Sequence, residues 1–171
     1  VGGFIITLIL VFLSGLSGWL VERLALQESY FLQVIGTISL VISLASTIAA
    51  RSLRDGVSGV LIALRNDKYN QNLEIARERL NHIVGRDVWH LNRNEILRAT
   101  AETLSENSVD GVFAPIFWMS FGAFLWLFNP ALPGPLSLAL IYKAISTIDS
   151  MLGYRRGRLR WLGTAGARLD D

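Results

Sequence analysis

VGGFIITLILVFLSGLSGWL, residues 1–20, contains no Asp, Glu, Lys or Arg. A hydrocarbon core about 30 Å thick takes about 20 consecutive apolar residues per spanning helix, so this stretch is expected to cross a membrane. A secretory signal opens with a positive segment and closes at a small-residue cleavage site; this chain begins Val1-Gly2 and runs straight into apolar residues, so Val1 is not expected to be the natural start. A second uncharged stretch, Tyr30 to Ala50, follows a short segment holding Glu22, Arg23 and Glu28. The third, Gly111 to Tyr142, is too long for one helix and is interrupted by Asn129, Pro130, Pro133, Gly134 and Pro135, the composition of a turn. It reads as a hairpin whose first arm, Gly111 to Phe128, spans. The second arm meets Lys143 and Asp149, and is either shallow or lines a polar cavity.

The expected fold is an all-α, polytopic membrane protein. Two transmembrane helices occupy 1–50, a cytoplasmic helical loop domain 51–110, a membrane helical hairpin 111–152, and a basic cytoplasmic segment 153–171. Composition fits: 171 residues, 51% hydrophobic, mean hydropathy +0.41, with 18% charged residues that must be segregated from the spans. The net charge of +2 argues against nucleic-acid binding, which wants a strongly basic face. Of the 16 Lys and Arg only Arg23 lies between the first two spans; nine fall within Arg51 to Arg98 and six within Lys143 to Arg168, which places both larger segments in the cytoplasm of a bacterial cell (inner) membrane. No cysteine is present, which removes thiol catalysis and Cys-ligated metals.

Within the polar region, Leu53, Val57, Val60, Leu61 and Leu64 recur at helical spacing and predict one amphipathic helix. Asn72 is placed to cap a second helix running through Val84, with Gly85 at its left-handed C-terminus. Asn92 with Glu95 predicts a capping box for a third, Glu95 to Asn107. On that third helix Glu102, Glu106 and Asp110 fall at i, i+4 and i+8, so three carboxylates stack on one face if the helix continues. Such charges repel unless Arg98 or a divalent cation relieves them. A solvated polar face explains the same spacing. Arg77, Glu78, Arg79, Arg86 and Asp87 cluster around Gly85 and suit phosphate or carboxylate binding, or simple pairing with Glu74 and Glu78 on an exposed helix. Lys143 and Asp149 are ionisable groups in or near a span, hence functional candidates, although Lys143 can also snorkel to the interface. The arginines from Arg155 to Arg168 suit an anionic lipid surface. His82 and His90 lack ligand-spaced partners, and no nucleotide-binding P-loop or nucleophile elbow occurs.

Read in order, Ala76-Arg77-Glu78-Arg79-Leu80, Ile83-Val84-Gly85-Arg86-Asp87, Glu102-Thr103 with Glu106-Asn107, Asp110-Gly111 with Ala114-Pro115 and Phe117-Trp118 form a specific series. It continues with Tyr142-Lys143-Ala144, Thr147, Asp149-Ser150-Met151, Gly153-Tyr154-Arg155 and Ala167-Arg168-Leu169-Asp170-Asp171. The series resembles the CobD/CbiB family of adenosylcobinamide-phosphate synthases, membrane proteins of cobalamin biosynthesis, and the chain looks like a central piece of such a protein. The resemblance implies ATP-dependent amide ligation of adenosylcobyric acid, a corrinoid, with aminopropanol phosphate or a related amino-alcohol. It implies ATP and Mg2+ as cofactors, the lipid bilayer as surroundings, and other cobalamin-assembly membrane enzymes as partners. It further implies catalytic roles for Glu102, Glu106, Lys143 and Asp149, and substrate contacts from Arg77, Arg79, Arg86, Asp87, Asn107, Tyr154, Arg155 and Arg168. Glu102, Glu106 and Asp110 are its implied metal ligands. Two other classes use the same helical layout: an AmpE-like membrane sensor without catalysis, and a transporter relaying through Lys143 and Asp149.

Overall fold

The structure, a computed structural model, describes residues 2–66 and 73–152. Asn72, Tyr154, Arg155, Arg168 and the basic segment 153–171 lie outside the described residues. The elements are α1 (Gly2–Ala25), α2 (Tyr30–Thr47), α3 (Ala50–Asn66), α4 (Glu74–Asn81), α5 (Arg93–Ser108), a π-helical turn (Val109–Phe113), α6 (Ala114–Phe128) and α7 (Pro135–Leu152). No strand occurs among the described residues. Phe4–Ala25, Tyr30–Asn66 and Arg93–Phe128 each hold an apolar run long enough to cross a membrane, and α7 contributes a shorter one, Pro135–Ile148. The chain is therefore an all-α, polytopic membrane protein. Phe12, Phe31, Ile42, Phe117, Leu127 and Phe128 all stand exposed, as side chains that face hydrocarbon rather than water do.

The chain divides into two compact units, one within 1–48 and 114–171, the other Ala49–Phe113. In the first, α7 packs against α1, α2 and α6. Small residues permit the approach: a Cβ on Gly18 would sit 2.7 Å from the Ser137 Cα, so only glycine lets α1 and α7 meet there.

The end of α1 then does what no local residue could do for α7. A helix leaves the N–H groups of its first turn without partners, and Pro135 at the first helical position carries none to satisfy. The remaining donors converge on buried Glu22 of α1. Gly134 N–H donates to Oε2 at 2.9 Å, and Leu136 and Ser137 N–H donate to Oε1 at 2.7 and 3.0 Å. The Ser137 hydroxyl also donates to Oε2. One turn of α1 secures the rest of the 129–134 bend, with Trp19 Nε1 donating to the Ala131 carbonyl at 3.2 Å and Arg23 donating to the Pro130 carbonyl. From α6, Trp126 donates to the Leu132 carbonyl at 3.1 Å.

The second unit has a small aliphatic core of Val60, Leu64, Ala76, Leu80, Val88, Ile96 and Ala99. The stripe expected on α3 is buried at Val57, Val60 and Leu64, whereas Leu61 is 44% exposed, because only one side of α3 meets α4 and α5. Helix α4 ends at Asn81 rather than Val84. The Leu80 carbonyl accepts from both Ile83 and Val84, drawing the chain into a tight turn before Gly85 is reached. The ends of the unit are joined where Ala49 N–H donates to the Gly111 carbonyl at 2.8 Å.

Candidate functional site

Between α4 and α5 the chain makes an irregular loop, residues 82–92, that is held at four points. Val88 is fully buried and anchors it in the core. Asp87 Oδ1 accepts from Trp89 N–H at 3.1 Å, the local bond by which Asp favours turns. Arg77, half-buried on α4, donates from Nε and Nη2 to the Leu91 carbonyl at 2.9 and 2.8 Å. The expected capping box then starts α5: Asn92 Oδ1 accepts from Asn94 and Glu95 N–H at 3.0 and 3.1 Å, and Asn92 N–H donates to Glu95 Oε2 at 2.7 Å. Helix α5 runs from Arg93 to Ser108, close to the predicted Glu95 to Asn107.

The braced loop presents Arg86 to α5. Arg86 Nη2 donates to Glu102 Oε2 at 2.9 Å, and Arg98 Nε, one turn earlier on α5, donates to Glu102 Oε1 at 3.0 Å. Hydrogen bonds first from Arg86 and then from Arg98 hold the Glu102 carboxyl below the ordinary glutamate range. These groups line a groove of about 330 Å3 together with Asp87, His90 and Glu95. Asp87 and Glu95 point one oxygen each at backbone N–H groups, so the loop and cap already engage them. Two guanidiniums share one carboxylate in an open groove whose lining also includes Leu91 and Ala99, an arrangement suited to exchangeable anions.

The other expected site residues are distributed as follows. Arg77 spends its fork on the Leu91 carbonyl and acts as a brace for the loop. Arg79 and Asn107 are exposed on α4 and α5. The carboxylate ladder holds only as far as Glu106. Asp110 falls in the π turn, where about five rather than four residues separate successive hydrogen-bonded partners. Both oxygens of Glu102 are engaged by arginine, and among the described residues no group of three or more His, Cys, Asp and Glu gathers in a way that could hold a metal ion. The donor set expected for Mg2+ at Glu102, Glu106 and Asp110 thus does not fit one ion. The physical reason is that Arg98 and Arg86 relieve the repulsion that a metal was expected to relieve.

In the other unit Lys143 lies on α7 in an apolar groove of about 440 Å3 with Leu10, Ser14, Leu140 and Thr147. Asp149 is also on α7. Sequence reasoning gave Arg98 a supporting part only and passed over Glu22. For Glu22 the available signal was a carboxylate within an otherwise apolar helix, a placement that calls for a partner.

The whole chain, residues 1–171, matches the family model described as CobD/Cbib protein. It is 40% identical to the cobalamin biosynthesis protein CobD of Synechocystis sp. over 169 residues, covering 99% of this chain and 46% of that protein. To the protein of the same name from Clostridium acetobutylicum it is 36% identical, covering 99% of this chain and 47% of the relative. For that of Halalkalibacterium halodurans the identity is 41%, covering 81% and 38%. The chain spans about half the length of the curated relatives it matches. No solved structure matches it.

Proposed function

We propose that this chain, which belongs to the CobD/CbiB family and so has a role in cobalamin biosynthesis, carries the polar part of an adenosylcobinamide-phosphate synthase site. The reaction is ATP-dependent amide ligation. ATP activates a propionate carboxyl of adenosylcobyric acid, the amine of aminopropanol phosphate or a related amino-alcohol attacks the carbonyl carbon, and a C–N bond forms as the activating group leaves with the carboxyl oxygen.

One observation carries this reading. Arg86 and Asp87 belong to one motif of the family resemblance and Glu102 to another, 16 residues from Arg86, and all three line one groove. A non-catalytic sensor needs no such convergence. ATP and the amino-alcohol phosphate both carry phosphate, for which a planar guanidinium fork is the suited partner. Magnesium, on this reading, travels with the nucleotide phosphates, as it does where it keeps few protein ligands. The unit Ala49–Phe113 faces the cytoplasm, where ATP is, in keeping with its share of Lys and Arg.

The test is conversion of adenosylcobyric acid by membranes carrying the protein, with and without ATP. The expected result is ATP-dependent formation of adenosylcobinamide phosphate, strongly impaired by Arg86→Lys. No ATP-dependent product from membranes in which the protein is folded and inserted would refute the assignment.

A further inference from the structure

We propose that Arg86 and Arg98 form a two-arginine clamp for a phosphate group, and that Glu102 is the clamp's built-in counter-ion, displaced when phosphate binds. The inference rests on the reading above for where the ligand comes from, but the clamp itself stands on geometry. The two guanidiniums come from different elements, Arg86 from the braced loop and Arg98 from α5, and they meet on opposite oxygens of one carboxylate at 2.9 and 3.0 Å. A phosphate presents oxygens at nearly the same separation as a carboxylate, so it can occupy the same two forks and offers a further oxygen besides. Unlike Glu102 it brings up to two negative charges to two positive ones.

Exposure decides which anion prevails. The side chains of Arg86, Arg98 and Glu102 are 62%, 82% and 43% exposed, and ion pairs this open to water contribute little, so giving one up costs little. Glu102 is half in solvent already, and once displaced it needs no new partner. In the free protein it keeps the two cations from repelling each other and holds them at phosphate spacing. Of the other carboxylates on the groove, Asp87 accepts from Trp89 N–H and Glu95 from Asn92 N–H with one oxygen each, and neither pairs with Arg86 or Arg98. His90 completes the lining. Arg98, which no family motif singles out, becomes a binding residue equal in rank to Arg86.

The experiment is a direct binding titration on the purified full chain in detergent, followed by calorimetry or phosphorus NMR, at one fixed moderate salt concentration. Inorganic pyrophosphate is the shared probe, and ATP and O-phosphoethanolamine are run in separate arms. Glu102→Gln, which frees both forks, is expected to bind pyrophosphate about twofold to fivefold more tightly than the parent. Glu102→Asp, too short to reach both arginines, should tighten it in the same direction. Arg98→Gln and Arg86→Gln should each weaken binding about fivefold or more. Arg51→Gln, on an exposed pair with Asp55 on α3, should change nothing.

Tightening seen in the ATP arm identifies the nucleotide as the source of the phosphate, and tightening in the O-phosphoethanolamine arm identifies a phosphorylated amine. Unchanged or weaker pyrophosphate binding by Glu102→Gln, in protein whose helix content matches the parent, overturns the clamp. So does parental affinity in Arg98→Gln. The two proposals fail separately: the binding pattern without ligation in membranes would remove the assigned reaction and leave the clamp, and ligation without the pattern would do the reverse.

Discussion

Replacing Glu22 by alanine removes the carboxylate that accepts from the N–H groups of Gly134, Leu136 and Ser137 at the start of α7. Those three backbone donors lose their partner. An unsatisfied buried donor costs about 1–3 kcal/mol in a soluble protein. Hydrogen bonds inside membrane proteins average nearer ~0.6 kcal/mol by double-mutant cycles, because the reference state also finds partners. Taking about 1 kcal/mol per donor, Glu22→Ala should lower stability by about 3 kcal/mol, roughly 150-fold in the folding equilibrium. Glu22→Gln keeps an amide oxygen for two of the three donors and loses the charge that complements the helix N-terminus, so about 1 kcal/mol is expected. The assay is reversible unfolding in detergent with increasing SDS, followed by tryptophan fluorescence. Trp19 and Trp126 both bond to the bend next to this cap and report on it directly. Amide hydrogen exchange at Leu136 and Ser137 gives a second readout, since loss of the acceptor should speed both. If Glu22→Ala lies within about 0.5 kcal/mol of the parent, the size of an ordinary surface substitution, with those two amides still protected, the capping account is wrong. Equal losses for Ala and Gln would instead assign the effect to charge alone.

Arg77→Lys should loosen the 82–92 loop, because a point ammonium cannot reproduce two N–H bonds to the Leu91 carbonyl. About 1 kcal/mol of stability is expected to be lost, read by thermal unfolding, with faster amide exchange across the loop. Asn92→Ala breaks the capping box and should cost about 1 kcal/mol, with early fraying of α5 by circular dichroism. For Glu102 the folded-state pKa is lowered, so its pairing with the two arginines is present above the ordinary glutamate value and is lost only as pH falls through the lowered one. A carboxyl carbon NMR titration should find its midpoint below the ordinary value in the parent and closer to it in Arg86→Gln; an ordinary midpoint in the parent would contradict the pairing. Since the chain has no cysteine, one introduced at Ser105 should be labelled from the cytoplasmic side and one at Gln27 from the opposite side; the reverse pattern would overturn the proposed orientation.

The sequence by itself determined the class of protein and the position of most helices. Twenty residues without a charge leave hydrocarbon as their natural surroundings, and Pro and Gly at 130–135 cannot continue a helix, so α1, α2, α6 and the bend before α7 follow from local composition. The capping box at Asn92 and Glu95 was equally legible, since both of its bonds close within three residues. Where a prediction depended on the chain continuing in one conformation it failed: α4 stopped at Asn81 because the Leu80 carbonyl took the following N–H groups, and the ladder lost Asp110 to a π turn. What tertiary structure alone decided are the contacts between residues far apart in sequence. Glu22 reaches donors 112 to 115 residues away, and nothing in its neighbourhood in the chain names them. Arg86 reaches Glu102 across 16 residues, which turned a suspected metal ligand into the partner of two arginines. Local physics sets which segments are helical, because a helix is bonded to itself; the partner of a buried or shared charge depends on which surfaces the packed helices bring within about 3 Å, the range over which a hydrogen bond acts.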